Sequence, residues 1–252
     1  FHDLHIEDMF HAGRENLTET EQFWNDWISL LKTKSGDTES RLLKEAVLYR
    51  EGIEGLVKMA NDNYKVHPSL YLEAMNEYDK NYGYSQIEKI GENAIEKIDS
   101  KLTIRSKIAL KAACASSYLN HTEKVMLFCW ESFRSDSTVR NLLRLFGTKE
   151  MAEQYGIRAE KALASRIKGN PVTSIRNSEL NQNIINNYTY NELNFYTGNF
   201  KAVKAVSKNP SGSLGWSNCF VGEGICLFPG DRGHGHFLLF CRGIFLMATR
   251  SQ

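Results

Sequence analysis

Residues Thr103–Asp136, TIRSKIALKAACASSYLNHTEKVMLFCWESFRSD, decide the fold that this sequence predicts. Apolar residues in the first half recur at steps of three and four, which places them on one face of a helix: Ile104, Ile108, Ala112, Ala115 and Leu119. Alanines crowd the middle of this helix, so a second helix backbone can approach it closely. The second half is also apolar at helical spacing, through Val125, Leu127, Phe128, Trp130 and Phe133. The stretch therefore predicts a helical hairpin with a polar corner.

Packing inside this hairpin follows from the sizes of the side chains. Trp130 and Phe133 are three residues apart, so they share one helical face. We expect that face to meet the small-residue stripe of the first helix, since large side chains interdigitate with small ones in closely packed cores. The stripe consists of Ala109, Ala112 and Ala113.

Helix starts elsewhere are predicted by capping residues. Thr18–Glu21, Ser85–Glu88 and Asn120–Glu123 each place a carboxylate three residues after a capping side chain. Gly52 is expected to interrupt a helix that begins at Asp37 or Thr38, and Ser178–Tyr196 is expected to be helical.

The order of these elements predicts an all-α fold. Helix pairs that restart roughly every 33 to 38 residues favour a helical-hairpin solenoid, in which stacking buries the apolar face of each pair. The alternative is an irregular helical bundle. We expect the solenoid to cover residues 1–207, and residues 208–252 to form a loop and apolar helices that pack on it or cap it.

Composition narrows the functional classes. The 252 residues include 31 basic and 30 acidic side chains, so no overall charge draws the chain to nucleic acid or to an anionic membrane. Five cysteines, an odd number, argue against a disulfide framework and favour reduced thiols in the cytoplasm. Residues 1–10 do not resemble a secretory signal, and the apolar run 237–248 is too short to span a bilayer. These features predict a soluble protein.

The central segment resembles tetratricopeptide-type helical repeats. The likeness rests on an Ala-rich first helix, a polar corner, and a second helix with Trp130–Phe133 that ends at Ser135–Asp136. Ile108–Ala113, followed by Trp130–Thr138, also resembles the helical region of bacterial proteins that carry a SWIM zinc finger, and this likeness extends over Leu30–Trp216. The motif of the finger, Cys-x-Cys followed by Cys-x-His, does not occur in this sequence. The resemblance implies a TPR-like superhelix and carries over nothing of the finger's activity.

Motifs for catalysis or for a cofactor are not found in the sequence. It contains no G-x-S-x-G, P-loop, H-E-x-x-H or G-x-G-x-x-G pattern. Two groups have metal-ligand residue types, but one lacks the spacing of known zinc sites and the other lies at a terminus: Cys219, Cys226, His234, His236 and Cys241; and His2, His5 and His11 with Glu7 and Asp8. We expect His121 to cap a helix or to be exposed. The sequence therefore predicts no enzyme, metal or cofactor.

Binding to a partner is the function that a solenoid favours, because stacked helix pairs offer a long groove. In tetratricopeptide-like stacks the first helix of each pair lines that groove. By this analogy the groove candidates are Asn76, Lys107, Lys111, Asn141 and Arg144. The expected partner is a protein or a peptide.

The alternative function is a nucleic-acid-associated helical module of a larger SWIM-type protein. It rests on that resemblance and on two basic clusters that could contact phosphates. Nearby acidic residues balance the clusters, and solvated helix faces explain them as well. The clusters are Arg158, Lys161, Arg166 and Lys168, and Lys201, Lys204 and Lys208.

Overall fold

The computed structural model describes residues 19–146, 148–164 and 176–185, together with residues 190, 193, 194 and 201. The described part is helical and contains no strand; an isolated bridge joins Leu102 to Gln182. Its helices are α1 (Thr20–Lys32), α2 (Asp37–Asn63), α3 (Ser69–Asp79), α4 (Tyr84–Lys97), α5 (Ile104–Tyr118), α6 (Thr122–Ser135), α7 (Val139–Arg144) and α8 (Lys149–Ala164), with a 3₁₀ turn at Ser178–Leu180. The all-α prediction is confirmed for these residues.

Helix α2 reverses direction at Gly52. This glycine has φ 66° and ψ −164°, a conformation that side-chain-bearing residues rarely adopt. Before Gly52, Lys44 pairs with Glu73 of α3. Just after Gly52, Glu54 accepts a hydrogen bond from Tyr78, near the end of α3. Further along α2, Asn61 accepts a hydrogen bond from Tyr71, near the start of α3, so the second half of α2 runs antiparallel to α3. The expected interruption at Gly52 is confirmed, and it makes α2 a helical pair of its own.

The strap, residues 176–185, crosses one end of the helix pairs. Four backbone N–H groups bond to it: Asp37 to the Arg176 carbonyl (2.9 Å), Ser69 to Glu179 Oε2 (3.0 Å), Thr103 to the Asn181 carbonyl (2.9 Å) and Ser137 to Asn183 Oδ1 (3.2 Å). Each of these amides lies at the start of a helix, where the first N–H groups have no partner within the helix itself. The strap therefore supplies acceptors to four helix starts at once.

These four helices are the leading helices: the first half of α2, α3, α5 and α7. They begin at residues 37, 69, 104 and 139, so successive pairs restart after 32, 35 and 35 residues. The returning helices are the second half of α2, α4 and α6. The spacing agrees with the periodicity expected from the sequence.

The strap also corrects an expectation from the sequence. Ser178–Tyr196 was expected to form a helix, and residues 190, 193 and 194 are helical, but after the 3₁₀ turn the backbone at Asn181 is extended. The Asn181 carbonyl accepts from the Thr103 amide and the Asn183 amide donates to the Lys101 carbonyl, so this part of the strap bonds to the residues just before α5. Tertiary hydrogen bonds thus override the local apolar pattern.

The hairpin of α5 and α6 lies in the core, as the sequence predicts. Phe133, Ala109, Ala112 and Ala113 are fully buried. Ala112 of the small-residue stripe contacts α4: a Cβ placed on Gly91 would lie 2.4 Å from Ala112 Cβ, so the two helices touch at that point. Trp130 is only partly buried and stacks on Tyr155 of α8, with ring centroids 5.5 Å apart. Phe133 thus belongs to the core as expected, while Trp130 packs on the next helix.

The predicted capping boxes are wrong in detail. Helices α1, α4 and α6 begin without a side-chain capping bond, at Glu19, Gly83 and His121 respectively. Asn120 has φ 60°, so it follows α5 as a left-handed residue rather than capping α6. Thr138 does cap α7, because its hydroxyl accepts from the Asn141 amide.

Candidate partner-binding face

Ion pairs join three of the four leading helices, namely the first half of α2, α3 and α5. Lys44 Nζ lies 2.8 Å from Glu73 Oε2, which links α2 to α3, and Lys111 Nζ lies 2.5 Å from Asp79 Oδ2, which links α5 to α3. Because α3 and α5 also pack directly on each other, the polar side chains of successive pairs form one continuous surface. We call the exposed part of α2 (first half), α3, α5 and α7 the leading face.

Three of the five groove candidates have access to solvent on this face. Lys107 is exposed, and Asn76 and Lys111 are partly exposed. Lys111 is held by its ion pair with Asp79, whereas the described structure gives Lys107 no hydrogen bond or ion pair. Lys107 therefore has a charge on this face that a partner can reach.

The other two candidates, Asn141 and Arg144, are buried, at 2% and 5% exposure. Asn141 donates to the Asp136 carbonyl (2.7 Å) and to Ser106 Oγ (3.2 Å), and Arg144 donates to Asn141 Oδ1. Side chains so enclosed cannot line an open groove. Their physical role is to hold the junction of α5, α6 and α7, which corrects their assignment to the groove surface.

Asp136 lies close to three of the groove candidates, Asn141, Arg144 and Lys107. Its carboxylate lies at the end of α6, and Asn141 Nδ2 approaches Asp136 Oδ2 at 3.5 Å. Burial raises the pKa of Asp136, while the nearby charges of Arg144 and Lys107 offset part of the rise. Nothing in the sequence singles out Asp136, because its environment is created by helices that meet only in the folded chain.

The raised pKa of Asp136 predicts the pH dependence of stability. A folded-state pKa above the unfolded value means that the folded chain holds the proton more tightly. The contribution of protonated Asp136 to the stability of the fold is fully present below the unfolded pKa, and it is lost as the pH rises through the folded pKa. Asp136→Asn is therefore expected to raise the free energy of unfolding near pH 7, with a gain that disappears below about pH 3.9, the ordinary Asp value. Urea denaturation over a pH series measures it.

The matched control for this substitution is Asp79→Asn. Asp79 is a partly exposed carboxylate in a surface ion pair, so its loss should lower stability by less than about 1 kcal/mol or leave it unchanged. If Asp136→Asn destabilises the protein near pH 7 as much as Asp79→Asn or more, burial of Asp136 is not the dominant effect.

A second polar cluster surrounds Glu88 on the returning helix α4. Glu88 is buried and accepts from Ser116 Oγ (2.7 Å), His121 Nδ1 (2.9 Å) and Lys124 Nζ (2.7 Å). Burial acts to raise the pKa of Glu88, but the bonds from Lys124, Ser116 and His121 outweigh it and leave the pKa lowered. His121 is thus an exposed residue at the start of α6, as expected, and it is bonded to Glu88.

The remaining sequence candidates are only partly within the described residues. Arg158 and Lys161 are exposed on α8, together with the acidic Glu153. Within residues that the structure describes, no cluster of three or more His, Cys, Asp or Glu side chains could hold a metal ion. Of the other basic residues only Lys201 is described, and it is exposed. The remaining basic residues, both metal candidates and the expected unit 208–252 lie outside the described residues.

Comparison of the chain with protein-family models, curated proteins and solved structures found no match. A search of the described helices for one long and apolar enough to cross a membrane found none.

Proposed function

We propose that this protein is a non-enzymatic interaction scaffold, a TPR-like helical solenoid that binds a protein or peptide partner on its leading face. The observation that carries the proposal is the arrangement of that face: leading helices begin every 32 to 35 residues, lie side by side, and present Asn76, Lys107 and Lys111 to solvent. A row of parallel helices with polar side chains suits an extended partner, which can contact several helices in succession.

Charge on this face indicates the chemistry of the partner. Lys107 is exposed without an ion pair, and Lys111 lies one turn further along α5. The exposed ammonium group of Lys107 favours a segment with carboxylates, which pair with lysine over short distances, whereas the Lys111 ammonium is already paired with Asp79. The partner that we propose is therefore a peptide or protein segment with acidic side chains.

Two further observations support a binding role in a reducing compartment. The polar groups best placed for chemistry, around Glu88 and around Asp136, are closed by hydrogen bonds within the fold. Cys129 is free and buried, and burial raises its pKa to about 12, so its thiol is unreactive as long as the fold holds. We propose a cytoplasmic location on this basis.

Reversal of two charges tests the leading face. Lys107→Glu/Lys111→Glu is expected to reduce partner capture from lysate at least about tenfold, as measured by quantitative mass spectrometry, because like charges would then oppose an acidic segment. The melting temperature should fall by no more than about 6 °C, because the reversal replaces one partly exposed ion pair, Lys111–Asp79, worth about 1 kcal/mol or less, with two like charges.

The matched control reverses two exposed lysines on returning helices, Lys58→Glu/Lys89→Glu. It changes the net charge by the same amount but leaves the leading face intact, so capture should persist. Capture that survives the first double variant, or that is lost equally in both, refutes the assignment of this face.

Nucleic-acid binding is the second candidate, and the exposure of Arg158 and Lys161 on α8 is what favours it. It predicts a mobility shift of generic duplex or single strands at micromolar protein, with an affinity that falls steeply with salt. Such a shift, abolished by Arg158→Glu/Lys161→Glu, would favour this function over the scaffold. No shift at tens of micromolar protein removes it.

A further inference from the structure

A buried polar cluster anchors the strap to the first two helix pairs. Ser40 of α2, His67 before α3 and Glu179 of the strap are 4%, 0% and 3% exposed. Ser40 Oγ lies 2.7 Å from His67 Nδ1 and 2.5 Å from Glu179 Oε1, and His67 Nε2 lies 3.1 Å from the Leu31 carbonyl. The second carboxylate oxygen of Glu179 accepts from the Ser69 amide at 3.0 Å. Three polar side chains thus form one continuous chain of hydrogen bonds.

The number of protons in this chain can be counted from its partners. The Leu31 carbonyl can only accept, so His67 Nε2 must carry a hydrogen. Two bonds then remain, from His67 Nδ1 to Ser40 Oγ and from Ser40 Oγ to Glu179 Oε1. The single hydroxyl hydrogen of Ser40 serves one of them, and the other needs a hydrogen either on Nδ1 or on the carboxyl group.

The cluster therefore holds one proton more than a neutral histidine, a serine and an ionised glutamate hold together. The count is the same whether the proton resides on the imidazole or on the carboxyl. The Ser69 amide at the start of α3 favours the carboxylate form, since helix starts attract negative charge. In that form the His67 imidazolium donates to Ser40, and Ser40 donates to Glu179.

We propose that this cluster is a proton-operated latch that holds the strap across the helix ends. When the extra proton is present, every bond in the chain is made and Glu179 is fixed in the interior. When it is lost, one bond lacks its hydrogen and a negative charge stays buried beside a neutral imidazole, which is unfavourable in a site closed to water. The strap is then expected to detach at its Glu179 end.

Other charged residues belong to the elements packed around the cluster, but the described structure gives none of them a bond to its three side chains. Asp37 accepts from the Ser178 amide (2.8 Å), and Arg176 reaches α2 through its backbone carbonyl. The charged residues close in sequence to the cluster include Lys32 at the end of α1, Asp37, Glu39, Arg41 and Lys44 of α2, Lys65 before α3, Glu73 of α3 and Arg176 of the strap, and Lys44 pairs with Glu73. The proton count thus rests on Ser40, His67 and Glu179 alone.

The latch predicts proton uptake on folding. Above about pH 6.5, the ordinary value for histidine, an unfolded chain carries neither the His67 proton nor a Glu179 proton. The folded chain carries one, so its unfolding constant should rise about tenfold for each pH unit until the folded cluster itself releases the proton.

Glu179→Gln is the test, because an amide can complete the chain without the extra proton. Its NH₂ group can donate to Ser40 while its oxygen accepts from the Ser69 amide, and Ser40 then donates to a neutral His67. We expect the ratio of unfolding constants, parent over Glu179→Gln, to rise about tenfold per pH unit above about pH 6.5. Urea denaturation of the full chain at half-unit pH steps measures the ratio.

A ratio that stays within about twofold over two pH units overturns the latch. Ser40→Ala is the second variant, for use if Glu179→Gln does not fold: it interrupts the chain, so the same ratio should rise with pH against it as well. Hydrogen exchange on the parent gives an independent readout. Protection of the Ser69 and Ser178 amides should fall with rising pH beyond the intrinsic rate increase, while that of Ser137, bonded to Asn183 further along the strap, should change less. Equal changes at all three amides also count against the latch.

Discussion

Phe133→Ala is expected to lower the free energy of unfolding by about 3–5 kcal/mol, the usual cost of truncating a fully buried phenylalanine. Phe133 has no exposed surface and lies in the core with the alanine stripe of α5. The loss should spread beyond the hairpin, since neighbouring pairs stabilise one another in a stack. Hydrogen exchange of α4 to α8 measures the extent of the spread, and urea denaturation measures the energy.

Trp130→Ala is the informative comparison, because the two aromatic residues are three apart on the same helix. Trp130 is partly buried and stacks on Tyr155, so its truncation should cost about 1–3 kcal/mol and affect mainly α8. If Trp130→Ala costs more than Phe133→Ala, Trp130 rather than Phe133 is the central core residue of this hairpin. If the two variants cost the same, both rings contribute equally to its packing.

The second large effect is expected at the buried ion pair between α5 and α6. Arg105 Nη1 lies 2.6 Å from Glu131 Oε2, and both side chains are less than a tenth exposed. Arg105 also donates to Ser135 Oγ and to the Ile95 carbonyl. Arg105→Met should therefore cost about 3–5 kcal/mol, since it leaves Glu131 Oε2 buried without the guanidinium that faces it. The midpoint of urea denaturation near neutral pH is the measurement.

The control for this pair removes both charges. Arg105→Met/Glu131→Leu leaves no unpaired charge in the interior, since the remaining Arg134 is partly exposed, and well-packed apolar side chains can replace a buried ion pair with little loss. We expect the double variant to be more stable than Arg105→Met alone. A single variant within about 1 kcal/mol of the parent would show that Arg134, 2.8 Å from the other oxygen of Glu131, is a sufficient partner.

Helix positions could be predicted from the sequence because they depend on local spacing. The periodicity around Ile108 and Phe128 located both arms of the hairpin, and Gly52 marked the interruption of α2. Capping could not be predicted as well: Glu88 was expected to cap its own helix, but its carboxylate bonds to Ser116, His121 and Lys124 on the neighbouring hairpin. The local capping motif gave a wrong prediction here because residues distant in the sequence bond to the carboxylate oxygens of Glu88.

The candidate site was predictable only to the level of the helix. Lys107 and Lys111 lie on an accessible part of α5, whereas Asn141 and Arg144 lie on the expected element but point into the interior. Their burial depends on Asp136 and Ser106, which belong to two other helices. The cluster around Glu179 could not be predicted either. Ser40, His67 and Glu179 lie far apart in the chain, and nothing in the spacing of the sequence indicates that they meet.

The strap has a consequence for the order in which the chain folds. Each helical pair forms through contacts between residues close in sequence, and such local contacts form quickly. The bond between Ser40 and Glu179 joins residues 139 apart, and that between Asp37 and Ser178 joins residues 141 apart. Closing loops of this length costs chain entropy before the bonds return any energy. Docking of the strap therefore belongs to the late, slow part of folding, after the row of helix starts that it bridges has already assembled.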